Sequence, residues 1–113
     1  SLGGVNPRLH HGTLNAMFLP AVIRFNATCA SVQAERRLER MAHAMGLSSA
    51  GDVAPAIQDM NARLGLPTGL AVMGVTPEVF DDVIKGALAD HCHKTNPRIA
   101  TPEEYREMLA QSL

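Results

Sequence analysis

Aromatic side chains are almost missing from this sequence, at 4% of 113 residues with no tryptophan. A core must then come from alanine, leucine, valine and six methionines within a 46% hydrophobic fraction, a supply that suits close helix packing better than a β-sandwich. No excess of one charge exists either. Ten basic residues stand against eleven acidic ones, interspersed along the chain, which argues against a nucleic-acid surface or a polybasic membrane anchor. The longest apolar run is too short to span a bilayer and is broken by Pro20. Only two cysteines are present, Cys29 and Cys92, without metal-knuckle spacing or the density of a secreted scaffold, so free thiols in a reducing compartment are expected. The opening Ser1-Leu2-Gly3-Gly4 has no signal-peptide pattern, so the reading is a soluble, cytoplasmic protein. The missing initiator methionine suggests a piece of something longer.

No stretch alternates strictly between apolar and polar residues, so no strand is expected. Nor is there a glycine-rich turn between a strand and a helix, so nothing here can cradle a dinucleotide pyrophosphate.

What the chain does have is helical periodicity, and it predicts an all-α bundle of about five helices in one domain. Residues 1 to 8 read as a loop. The first helix runs from about His11 to Asn26, with Leu14, Met17, Phe18, Ala21, Val22 and Phe25 on one face. Pro20 inside it predicts a kink. The second helix spans about Val32 to Met45, with Leu38, Met41, Ala42 and Met45 inward, and Gly46 stops it. The third, about Asp52 to Leu64, turns Val53, Ala56, Ile57, Met60 and Leu64 inward. Leu70, Val72 and Met73 then form a loop expected to pack back onto the bundle. Thr76-Pro77-Glu78 opens the fourth helix, whose inward stripe continues to His91. Thr101 and Glu104 make a capping box for the fifth, with Tyr105, Met108 and Leu109 buried.

The polar residues that could carry chemistry are histidines. Neutral imidazole is an ordinary ligand for iron(II) or zinc, and such sites need three or four converging ligands. The candidates are His10, His11, His43, His91 and His93. On a helix, residues two apart point nearly oppositely, so His91 and His93 cannot share an ion unless the helix breaks between them, and adjacent His10 and His11 also diverge. His43 sits among Met41, Ala42 and Ala44 in the second helix and reads as an ordinary histidine. From these residues alone, no complete metal site can be assembled.

The stretch His11-Gly12, two residues, Asn15-Ala16, two residues, Leu19-Pro20, then Phe25-Asn26 resembles the signature of the iron-containing (group III) alcohol dehydrogenases. A second segment, Ala87-Leu88-Ala89-Asp90-His91-Cys92-His93-Lys94-Thr95-Asn96-Pro97-Arg98, is similar to that family's stretch near the C-terminus. The resemblance covers essentially the whole chain, residues 1 to 113, but only the family's C-terminal helical domain. It implies a divalent metal, iron or zinc, held by one Asp and three His. The last of these is the His before the motif glycine, and that role falls on His11, with His10 the alternative. The doubled histidine departs from the family's commoner single His. The remaining ligands, a non-ligand active-site His, and the NAD(P)-binding domain would all lie upstream of Ser1.

The resemblance further implies that Cys92 lines the substrate pocket. From the residues alone it reads equally as an ordinary core thiol in a buried neighbourhood. Asn96-Pro97-Arg98 is expected to end the fourth helix, with Arg98 tying the loop to a carboxylate. The implied function is hydride transfer between a small alcohol, aldehyde or ketone and NAD(P), in an enzyme expected to be a homo-oligomer at full length, this chain alone being inactive. A related reductase of the maleylacetate reductase or glycerol dehydrogenase type would keep the helical domain. From a different class, a free-standing interaction module with structural histidines would use the apolar loop around Leu70 to Met73; the bland alternative for His11 is that it simply caps the first helix.

Overall fold

Residues 2–113 are described by a computed structural model, and among them there are seven α-helices and no strand. The helices are α1 (Leu2–Val5), α2 (His11–Asn26), α3 (Ala30–Ala34), α4 (Arg37–Ala44), α5 (Val53–Arg63), α6 (Phe80–Ala89) and α7 (Pro102–Gln111), joined by short 3-10 turns.

The apolar periodicity of α2 makes it the axis of the fold. Its residues enter all three apolar clusters. Leu14 and Met17 join Phe80, Val83 and Ile84 of α6 and Leu109 of α7; Ile23 joins Val32, Leu38, Ala42, Val53 and Ile57; Ala21 joins Ala100 and Met108. Helix α2 therefore crosses from one cluster to the next, continuous through Pro20.

Several expected boundaries moved. The opening residues are not all loop: Leu2–Val5 form a helical turn whose Leu2 and Val5 pack on the first cluster. The single second helix is two, because Arg36 takes a left-handed conformation (φ 52°) between α3 and α4. That reversal leaves Met41 and Met45 at 41% and 43% exposed, so the buried face of α4 is Leu38 and Ala42 alone. Gly46 ends α4 as expected. Its φ of +73° lets the Leu47 amide donate back to the Ala42 carbonyl at 2.8 Å.

In α5 the buried face is Val53, Ala54, Ile57 and Asn61, while Met60 and Leu64 are exposed. A Ser49–Asp52 capping box precedes this helix. Thr76 makes no side-chain cap. Pro77 starts a 3-10 turn instead, and the α-helix proper begins at Phe80.

The loop after α5 is held by the chain's own end. Leu70 N–H donates to the Ser112 carbonyl at 2.8 Å and Ala71 N–H to Leu113 at 3.1 Å. A Cβ at Gly69 would lie 2.2 Å from the Leu113 oxygen, so only glycine admits this approach. Leu70 is thereby fully buried and Met73 packs on the first cluster, whereas Val72 remains exposed. Of the three large apolar residues of this loop, only Val72 is left exposed as a contact surface. No helix among the described residues is long and apolar enough to cross a membrane.

Candidate functional site

The two halves of the sequence that suggested a function meet in space. At the end of α2, Asn26 and Asn96 exchange side-chain hydrogen bonds: Asn26 Nδ2 donates to Asn96 Oδ1 at 3.0 Å, and Asn96 Nδ2 to Asn26 Oδ1 at 2.7 Å. Asn96 also donates to the Arg98 carbonyl at 2.6 Å. Arg98 lies over the Phe25 ring, 4.2 Å from its centroid, and pairs with Glu104 of α7. The expected tie between Arg98 and a carboxylate is thus present.

The expected role of Asn96 in ending the fourth helix is not. Helix α6 stops at Ala89, because Asp90 turns extended (ψ 137°) and its carboxylate accepts from the Cys92 N–H at 2.9 Å. A short polar side chain offers the backbone an alternative to the helical ladder here, and the helix gives way to a 3-10 turn over His91–Lys94.

At the other end of α2 the two neighbouring histidines divide the work. His10 is the N-cap, and its Nδ1 accepts from the Thr13 N–H at 3.3 Å. His11 is the first helical residue. Its exposed ring lines a cavity together with Leu14, Phe18, Ile84, Tyr105 and Leu109, and the Asn15 amide donates to its Nε2 at 3.1 Å. The capping role belongs to His10, which leaves the His11 ring free to face the cavity.

The other candidates separate. His43 is exposed on α4, and the His91 side chain is 91% exposed. His93 is half-buried, its Nδ1 2.8 Å from the Tyr105 hydroxyl. The α-helix ends ahead of both, and His91 and His93 share one 3-10 turn in which the two rings take different partners. Among the described residues, one group of three potential ligands lies within reach of a common point, Asp90, His91 and Cys92, and His11 is not part of it. Those three are exposed neighbours in one turn, brought together by the Asp90–Cys92 hydrogen bond.

Cys92 is exposed, which corrects the buried location its apolar neighbours suggested, because the end of α6 carries it out of the bundle. It still borders a second cavity, with Phe25, His93 and Tyr105. The Asp90 carboxylate raises the Cys92 thiol above its ordinary value, by hydrogen bonding first and charge second. Asp90 itself is held low, chiefly by the Cys92 backbone N–H. Burial, and then the Asp90 charge, raise the Tyr105 phenol.

Sequence reasoning missed Asn15 beside His11, the pairing of His93 with Tyr105, and the Asn26–Asn96 clasp. Asn15 was visible four residues after His11 on the same helix face. The other two pairs span loops that no local periodicity reports.

Known proteins resemble this chain along essentially its whole length. The Fe-containing alcohol dehydrogenase family, C-terminal, matches residues 2–113. A 4-hydroxybutyrate dehydrogenase from Cupriavidus necator is 57% identical over 93% of this chain and 28% of its own length. An NAD-dependent methanol dehydrogenase from Bacillus methanolicus is 32% identical over 99% of the chain and 30% of its own. A lactaldehyde reductase from Escherichia coli (strain K12) is 34% identical over 87% and 27%. The chain thus spans less than a third of the length of these relatives. It belongs to the iron-containing alcohol dehydrogenase family and corresponds to that family's C-terminal part.

Proposed function

We propose that this chain is the C-terminal helical domain of a longer metal-dependent, NAD(P)-linked alcohol dehydrogenase that interconverts small alcohols with aldehydes or ketones. The observation that carries the reading is the exposed imidazole of His11 on the lining of a mostly apolar cavity, beside a capping histidine that satisfies the helix end in its place. Iron(II) or zinc held there would supply a Lewis acid that lowers the pKa of a substrate alcohol.

His11 fits such an ion as one ligand of a set. Its ring is a suitable donor, and it is exposed toward whatever a neighbouring domain brings. To offer Nε2 it must release Asn15, an exposed contact that costs about 1 kcal/mol to give up. Leu14, Phe18 and Leu109 would exclude water from the reacting carbon. Nucleotide binding and the other ligands would come from residues ahead of this domain. The reading carries with it a cytoplasmic, homo-oligomeric enzyme. The name of the 57% identical relative makes a hydroxy acid the first substrate to try.

The test is His11→Ala in the longer polypeptide, with bound metal and NAD(P)H formation measured together. Loss of both, against a His10→Asn control that keeps both, supports the reading. Metal and activity retained in His11→Ala would overturn it.

A further inference from the structure

Helix α6 gives way at Asp90, and the break gathers side chains that a continuous helix would spread. On an α-helix Asp90, His91 and Cys92 would leave the axis about 100° apart from one to the next. Instead Asp90 is extended, and its carboxylate folds back over the 3-10 turn that starts at His91, held there by the Cys92 N–H at 2.9 Å. One ligand atom from each of the three then lies within 4.8 Å of the other two. We propose that Asp90, His91 and Cys92 bind a divalent ion of the zinc type, in a site to which His11 contributes no ligand. The site stands whether or not the chain serves the reaction proposed above.

The distances are close to those of a coordination sphere. Tetrahedral zinc, with bonds of ~2.0–2.3 Å to oxygen, nitrogen and sulfur, sets its ligand atoms roughly 3.3–3.6 Å from one another. Cys92 Sγ is 3.5 Å from His91 Nε2, and Asp90 Oδ1 is 3.4 Å from His91 Nδ1. A single ion takes only one of the two ring nitrogens, so the ring must turn to meet it. The His91 side chain is 91% exposed, which leaves it room to do so.

The chemistry of the donors selects the ion. Thiolate, imidazole and carboxylate together suit zinc, whereas magnesium and calcium take oxygen ligands. Binding replaces the thiol proton with the ion, and the proton leaves to solvent. The cation then joins two groups that would otherwise repel, the Asp90 carboxylate and the Cys92 thiolate. His93 is outside the set, its Nδ1 lying 2.8 Å from the Tyr105 hydroxyl. Three protein ligands leave the fourth tetrahedral position to water. Because Asp90 and Cys92 also border the second cavity, the ion would stand at its rim.

The experiment titrates the longer polypeptide, stripped of metal, with cobalt(II) and then displaces the cobalt with zinc, reading the near-ultraviolet charge-transfer band from sulfur to cobalt. The ligands implied for an ion at His11 are one Asp and three His, none of them sulfur, so the band reports a thiolate ligand. It is expected in the wild type, in Cys29→Ser and in His11→Ala, and is expected to vanish in Cys92→Ser. Zinc should bind at least about 100-fold more weakly in His91→Gln, a larger loss than removing a hydrogen-bond partner from behind a ligand causes. Zinc should also protect Cys92 from alkylation. A wild type without the band, a band that persists in Cys92→Ser, or unchanged zinc affinity in His91→Gln would overturn the inference. Loss of the band in His11→Ala would give Cys92 to the ion that His11 holds, and would overturn it too.

Discussion

The side-chain amide of Asn61 donates to the backbone carbonyl of Ala16 at 2.9 Å, and Ala16 is the residue whose helical donor Pro20 removes. Asn61 is 7% exposed and stands on α5, so a side chain from a neighbouring helix replaces the missing backbone N–H. A buried carbonyl without a partner would cost more than the bond contributes when made.

Replacing Asn61 with leucine should destabilise the protein by about 1–3 kcal/mol, because the Ala16 carbonyl loses its donor. In a Pro20→Ala background the Leu substitution should cost less, since the alanine restores an N–H to that carbonyl. A double-mutant cycle by urea unfolding measures the difference, and simple additivity would show that Asn61 and Pro20 act independently.

Arg36 holds a left-handed conformation that a side chain resists. Arg36→Gly is expected to raise stability by up to about 1 kcal/mol, and Arg36→Val to lower it by at least as much. Thermal melts of the two variants check the sign.

Two of the arginine ion pairs, those of Arg98 and Arg106, differ in setting. Arg98 pairs with Glu104, donates to Thr28 and stacks on Phe25, and its side chain is 37% exposed; Arg106 meets an Asp81 that is 84% exposed. Arg98→Lys should therefore cost about 1 kcal/mol, through lost stacking and fork geometry, and Arg106→Lys only a few tenths. Matching losses in denaturant midpoints would remove the special role of Arg98.

Asp90 raises the Cys92 thiol, whereas Ser31 and the neighbouring backbone lower the Cys29 thiol. Cys92 should thus alkylate more slowly near pH 8 than its exposure implies, since only the thiolate reacts. Asp90→Asn should accelerate it and shift its rate profile to lower pH. The carboxylate, held low by the Cys92 N–H, contributes stability above its unfolded pKa and loses it as pH falls through the lower folded value. Acid unfolding of Asp90→Asn should correspondingly lose that dependence.

His10→Ala should cost about 1 kcal/mol of stability through the lost cap, and His10→Asn should recover most of it. His11→Ala should change stability little, because its ring is exposed and caps nothing. Chemical unfolding separates the two, and a large loss in His11→Ala would make that residue structural.

Much of the fold was legible in the residues. The apolar period of α2, the Thr101–Glu104 box and the stop at Gly46 each depend on neighbours within a turn, and each is in place. Where the reading failed, a competing interaction lay outside the local window. Leu38 to Met45 carries enough apolar positions for a wide stripe, but the turn at Arg36 presents only Leu38 and Ala42 to α5. The apolar period of α6 extends in the sequence to His91, but the Asp90 side chain captures the Cys92 amide and ends the helix at Ala89.

The sequence by itself determined that this protein is helical, where its long central helix lies, and which family's residue pattern it carries, because spacing and motif are properties of the chain read in order. Only the tertiary structure decided that His10 caps while His11 faces a cavity, that Asn26 clasps Asn96, and that His93 is paired to Tyr105. Those outcomes are choices between partners. A side chain selects its partner by distance and burial after the helices have packed, and neither quantity exists in a one-dimensional string.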